Sequence, residues 1–298
     1  MLLTSQPQGD HIPVLMFVEF VAEIIMNCVI VVLALWVITK VPFRNDFHIN
    51  LRISIINIYL VLPIIAVVRT ILIIDVFADN RLPVFLTSVA ERLFFWAQTA
   101  LWFMQMPSMV ERICATIFYR SYLHWSARGT SAVVMLCWVS SILTALEIIK
   151  VTPSDMYIKT GGGTLFILFV YIVIFCLTWK HYKNRKNLQN LNERYQIFQN
   201  VQTLYPLLWT IAIELIHNVA TMIEVIIYVF VILPKNDLVE YQILFGITNV
   251  VRECLLIGYC IPFFYFSPNR RRVQFINKMT AEAQNSNKLY FKQLERQW

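Results

Sequence analysis

Charged and amide side chains recur at helical spacing inside long apolar stretches. Glu19, Glu23 and Asn27 fall four residues apart, Glu91, Gln98 and Gln105 seven apart, and Glu214, His217, Thr221 and Glu224 share one helical face. Arg69, Arg92, Asn249, Arg252 and Glu253 lie in equally apolar surroundings. A charge in such a place is costly unless it meets an opposite charge, a hydrogen-bonding group or water. These residues must therefore converge on buried ion pairs, on a polar cavity, or on both. Arg69 with Glu91, and Arg252 with Glu214, are pairings the pattern allows. For any single residue the structural pairing is the stronger reading; for the set, a cavity that admits a small molecule is.

Catalysis is a weaker reading of the same residues. Glu214-x-x-His217 matches half of a di-iron pattern, but a second copy is absent. No His-Glu-x-x-His, P-loop or Gly-x-Ser-x-Gly motif occurs. We expect no catalytic residue, no metal site and no cofactor. His217 reads first as a hydrogen-bonded interior residue.

The elements that must position these side chains follow from composition. Of 298 residues, 58% are hydrophobic and 14% charged, and the mean hydropathy is +0.61, which excludes an ordinary soluble fold and a disordered binder. About 20 apolar residues are needed to cross a bilayer as a helix. Seven segments meet or approach that length: 14–38, 53–77, 84–110, 130–149, 164–179, 204–233 and 239–266. Continuous runs favour helices over barrel strands, which would alternate. The expected fold is an all-α membrane bundle of seven transmembrane helices over 1–266, with a tail over 267–298. Pro63, Pro206 and Pro262 should kink spans, and the fifth span should begin within the glycine triplet at 161–163.

Charge sets the orientation. Of the 25 Lys and Arg, 18 fall on the side that holds the first, third and fifth connections and the tail, 4 on the other side and 3 inside spans. Basic residues stay cytoplasmic, so the N-terminus is expected outside and the C-terminus inside. The net charge of +7 then divides into +13 on inner segments, −2 on outer segments and −4 within spans. A basic surface facing anionic inner-leaflet lipid replaces any nucleic-acid reading. No cysteine falls in an outer segment, so a structural disulfide is not expected.

Seven spans with this orientation is the architecture of a serpentine, G-protein-coupled receptor. The third span closes on Glu111-Arg112-Ile113-Cys114-Ala115-Thr116-Ile117-Phe118-Tyr119. The segment entering the sixth reads Glu193-Arg194-Tyr195-Gln196-Ile197-Phe198-Gln199-Asn200-Val201-Gln202-Thr203-Leu204. Both resemble the nematode serpentine chemoreceptors of class epsilon. That resemblance implies a chemosensory receptor of the plasma membrane, in a sensory cilium, that binds a small-molecule ligand and signals to a heterotrimeric G protein.

In receptors of this architecture an Arg at the inner end of the third helix, held by an adjacent acid, acts as a latch. Glu111 and Arg112 have the required types, although they also suit a pair that only marks a helix end. Pro262 and Tyr265 have the Pro-x-x-Tyr form of a seventh-span switch, with Ile261 where an Asn is usual. Arg120, Lys183, Arg185, Lys186 and Arg194 are the expected G-protein contacts. The sixth helix should project into the cytoplasm before its span, and 270–279 should form a short amphipathic helix on the membrane surface. The ligand pocket or buried network should comprise Glu19, Glu23, Arg69, Glu91, Arg92, Glu214, His217, Glu224, Arg252 and Glu253. The competing function is a transporter or ligand-gated channel that uses these residues as a path.

Overall fold

The computed structural model describes residues 14–43, 47–77, 82–118, 121–122, 125–148, 153–184, 191–232 and 238–265, with Asn277, Ala281 and Gln284. In chain order the helices are α1 (Val14–Lys40), α2 (Ile49–Phe77), α3 (Val84–Phe103), α4 (Gln105–Ile117), α5 (Arg128–Ile148), α6 (Pro153–Asn184), α7 (Leu191–Ile227) and α8 (Leu238–Tyr265). A 3-10 turn, Val41–Phe43, extends α1, and a stretch of π-helix, Tyr228–Ile232, follows α7. Residues Met1–Ile261 form one compact unit and Pro262–Trp298 another.

The distribution of polarity across the helices is the reverse of that in a soluble bundle. On α1, Phe17, Val18, Ile25 and Val32 are exposed, whereas Glu19, Glu23 and Asn27 are buried. An apolar exterior around a polar seam is stable only where the surrounding medium is itself apolar. Five helical stretches among the described residues are long and apolar enough to cross a membrane: Val14–Phe43, Ile49–Phe77, Arg128–Leu146, Gly162–Lys180 and Thr203–Glu224. This is an all-α membrane protein.

The third segment, expected to be continuous over 84–110, is broken. At Met104 (φ −70°, ψ −9°) α3 ends and α4 begins, with the Met104 N–H still bonded to the Ala100 carbonyl at 2.9 Å. Pro107 accounts for the joint: it has no N–H to offer the carbonyl four residues back, Phe103, and its ring crowds that carbonyl. Pro63, Pro206 and Pro262 lie inside α2, α7 and α8.

The fifth span does not start at the glycine triplet. The helix begins at Pro153, a residue suited to a first helical turn, and runs through the glycines. Gly163 serves packing instead, because a Cβ there would collide with the Trp102 indole. The expected forward projection of the sixth helix is present as backbone, since α7 starts at Leu191. The amphipathic helix expected over 270–279 lies outside the described residues apart from Asn277.

α2 is the most buried span and packs on α1, α3, α4 and α5. Its inward face presents Leu51, Ile55, Tyr59, Leu62, Ile65 and Ala66. α6 lies along α7, and α3 along α5. α1 and α8 meet at two levels: Glu19 occupies the space beside Gly246, and Cys254 Sγ lies 3.5 Å from Met26 Sδ. Residue numbers rise together along both helices, so the two run parallel.

Candidate functional site

The polar residues gather at three levels. At the first, Arg69 of α2 grips Glu23 of α1 through Nε to Oε2 at 2.8 Å and Nη2 to Oε1 at 3.1 Å, and both side chains are buried. Two parallel N–H to oxygen bonds fit the planar guanidinium and offset the desolvation of both ions. Glu91, a pairing with Arg69 that the spacing also allows, is half-buried on α3. Glu19 reaches Gly246, where the missing side chain leaves room for its carboxyl. Arg92 departs from expectation: it is exposed and does not enter the interior. Neighbouring helical residues point about 100° apart, so turning Glu91 inward sends Arg92 outward, where its long stem lies along the apolar surface and its charged head can extend toward the interface.

The second level surrounds a cavity of about 30 Å³. Its polar wall is Gln98, Glu214, His217, Arg252 and Tyr259, and Ile65, Leu101, Ile213, Leu255 and Leu256 complete it. Glu214, His217 and Arg252 are thus brought together as the sequence suggested, but the salt-bridge partner of Arg252 is the adjacent Glu253, with Nη2 to Oε1 at 2.7 Å. The guanidinium also lies over the Phe94 ring, 4.9 Å from its centroid. Glu224 is half-buried beside Thr248.

Tyr259 connects this level to the rest of the bundle. Its hydroxyl donates to Glu214 Oε2 at 2.7 Å and accepts from Gln105 Nε2 at 2.8 Å. Its carbonyl accepts the Tyr59 hydroxyl at 2.6 Å. One buried tyrosine therefore joins α2, α4, α7 and α8. Typical ligand pockets enclose about 300–1,000 Å³, so the cavity in this conformation is closed down to the size of a few atoms.

At the third level the Arg112 guanidinium binds the carboxylate of Glu111 and donates to the Thr203 hydroxyl of α7. Tyr122, beyond the end of α4, donates its hydroxyl to the same carboxylate and packs against His48 with ring centroids 4.3 Å apart and the planes tilted by 46°. Burial, reinforced by the Glu111 charge, pushes the Tyr122 phenol above its ordinary range, which keeps its proton in place for this bond. Asn200 Nδ2 donates to the Ala115 carbonyl at 2.9 Å, a second tie between α4 and α7. Ser108 and Tyr171 share a hydrogen bond of 2.8 Å between α4 and α6.

The remaining expected residues lie at the edge of the described structure. Lys183 is exposed near the end of α6, and Pro262 is half-buried in α8. Arg194 and Tyr265 belong to α7 and α8 by backbone, while Arg120, Arg185 and Lys186 lie outside the described residues. Sequence reasoning missed Tyr59, Tyr122, Thr203 and Tyr259. Their hydroxyls leave no periodic signal, because each finds its partner through packing; the Glu111-Arg112 pair did mark the place where Thr203 and Tyr122 join.

Residues 109–298 fit the family model described as "Serpentine type 7TM GPCR receptor class ab chemoreceptor". The matched stretch contains both segments that resemble class epsilon, so the class is corrected from epsilon to ab by a match over most of the chain. No curated protein matches.

Proposed function

The chain belongs to the serpentine seven-transmembrane class ab chemoreceptor family, and on that premise we propose that it is a chemosensory receptor of the plasma membrane. It receives a small external molecule in the central cavity and signals to a cytoplasmic heterotrimeric G protein. The N-terminus is outside and the C-terminus inside, in keeping with the 18 to 4 division of basic residues. The parallel course of α1 and α8 supports an odd number of crossings between them. The tail and inner connections, including Arg120, Lys183, Arg185, Lys186 and Arg194, meet the G protein and anionic lipid.

One observation carries the reading: α4 and α7 are tied at two heights. The upper tie runs from Gln105 through Tyr259 to Glu214, in the wall of the cavity. The lower tie runs from Arg112 to Thr203 at the inner end. Gln105 and Arg112 lie two turns apart on α4, about 10 Å by helical rise. A ligand that disturbs Tyr259 or Glu214 shifts α7 against α4, and the bond at Arg112 is the one such a shift breaks. Glu111 and Arg112 are then the latch, and Pro262 with Tyr265 the seventh-span switch.

The test is reconstitution of the full chain with a G protein, measuring nucleotide exchange for the wild type and Arg112→Ala at matched surface expression. A changed basal rate supports the latch; a wild-type rate with and without ligand removes it. Tags at both termini, probed on intact cells, test the orientation, and an inaccessible N-terminal tag overturns the receptor reading. Ligand-evoked current that persists with G-protein signalling blocked would favour a channel.

A further inference from the structure

The central cavity carries an inference about the chemistry of its occupant, which rests on that cavity being where the external molecule binds. Glu214 and Arg252 both stand in the wall of about 30 Å³ of space. An ion of either sign entering it meets a like charge within a few ångströms. At about 5 Å and an effective dielectric near 20, that repulsion is large enough to disfavour either ion strongly. Neither wall charge offers full compensation: Arg252 already holds Glu253, and Glu214 already accepts from Tyr259. The occupant is thereby narrowed to the neutral class.

Which neutral class follows from what the wall lacks. Arg252 is 6% exposed, and its Nε–H has no hydrogen-bond partner among the described residues. A buried donor left without an acceptor is unfavourable, and an occupant that supplies the acceptor gains the difference. The other walls are aliphatic, from Ile65, Leu101, Ile213, Leu255 and Leu256. We propose that the cavity takes a short-chain neutral carbonyl compound, a ketone, aldehyde or ester, whose oxygen accepts from Arg252 and whose alkyl part displaces these aliphatic side chains slightly. The carbonyl end lies beside Tyr259 and Glu214, the upper tie between α4 and α7.

Thermal unfolding of the purified full chain in lipid nanodiscs tests this with four probes of one length: 2-pentanone, pentane, pentanoate and pentylammonium. At tenfold saturation 2-pentanone should raise the midpoint by about 2–4 °C, and the other three should not. Arg252→Lys keeps a cation opposite Glu253 but removes the Nε–H, and Leu101→Phe fills the cavity without touching a polar group; each should abolish the ketone shift. Should Arg252→Lys not fold, Leu101→Phe decides alone. An equal shift with pentane, or a ketone shift that survives Leu101→Phe, overturns the carbonyl assignment. A shift confined to pentanoate or pentylammonium and lost in Leu101→Phe overturns the class and leaves the cavity as the receptor site. No shift with any probe means a cavity that holds water alone, and the cavity falls as the ligand site of the proposed receptor.

Discussion

Tyr259 of α8 donates its hydroxyl proton to Glu214 of α7 over 2.7 Å while accepting the Gln105 amide of α4 over 2.8 Å. Removal of that hydroxyl leaves a carboxylate oxygen and an amide without their partner in a buried place. Tyr259→Phe should therefore cost about 2–4 kcal/mol of stability, more than one neutral hydrogen bond is worth. Thermal unfolding reads this directly, and Tyr59→Phe, which removes a bond to a neutral carbonyl, should cost less.

Thr203 offers a gentler test of the inner tie than Arg112. Thr203→Val keeps the shape of the side chain and removes the acceptor of the Arg112 bond, while Glu111 still holds the guanidinium. Loss of a hydrogen bond to a charged group is worth about 1.5–3 kcal/mol, roughly a 10- to 100-fold change in the ratio of tied to untied states. Basal nucleotide exchange on the G protein should rise, with surface expression close to wild type. Exchange that does not change would place the constraint elsewhere.

Tyr122 predicts a pH dependence by its sign. Its phenol is pushed above the ordinary range by burial and by Glu111, so the contribution of its bond is fully present below the ordinary tyrosine pKa and is lost progressively as pH rises from that value through the raised folded one. Between about pH 7 and pH 9, stability should show no loss through this group. Tyr122→Phe should lower the midpoint by a similar amount across that whole window. A wild-type loss between about pH 7 and pH 9 that Tyr122→Phe abolishes would contradict the assignment.

The Arg69–Glu23 pair should behave as buried ion pairs do. Either single replacement, Arg69→Leu or Glu23→Leu, removes one member of a buried, doubly hydrogen-bonded ion pair and should cost about 3–5 kcal/mol, whereas the double replacement should recover most of the loss. Unfolding of the four proteins in the cycle measures the coupling. Near-additive losses would mean that the two side chains do not stabilise one another.

Three glycines of the helices separate packing from propensity. A Cβ at Gly246 would enter space held by the Glu19 carboxyl, and one at Gly163 would enter the Trp102 ring, while Gly162 has open space around its Cβ position. Alanine is favoured over glycine in a helix by about 1 kcal/mol. Gly162→Ala should thus be neutral or stabilising, and Gly246→Ala and Gly163→Ala destabilising. Equal effects at all three positions would show that close approach at α1 and α3 contributes nothing.

The apolar runs and the sparse charges within them were legible because both depend on composition along the chain. They located the first, second, fourth and seventh helices to within about a turn, though not the start of the fifth, and brought Glu214, His217 and Arg252 to one place. Of the ion pairs, Glu111 with Arg112 was legible from adjacent residues, whereas Glu253 as the partner of Arg252 was not. Arg112 and Arg252 each bind the acid adjacent in sequence, Glu111 and Glu253, although neighbours on a helix do not ordinarily face one another. Only the length of the arginine side chain and the crowding around it permit that turn. The break in the third span had a signal in Pro107, whose effect falls on Phe103 and Met104, earlier than the proline itself. Arg92 was misplaced because burial of a charge is decided by its angle around the helix, and one residue step from Glu91 is enough to reverse it.

The joint at Met104 has a mechanical consequence. Gln105, Ser108, Glu111 and Arg112 all lie beyond it, on one short rigid rod of three to four turns. The rod is hinged at its upper end and pinned to its neighbours by those four side chains. A rotation too small to matter near Gln105 is amplified along the rod, so the largest travel from a disturbance at the cavity is delivered at Arg112, the end nearest the cytoplasm in the proposed orientation.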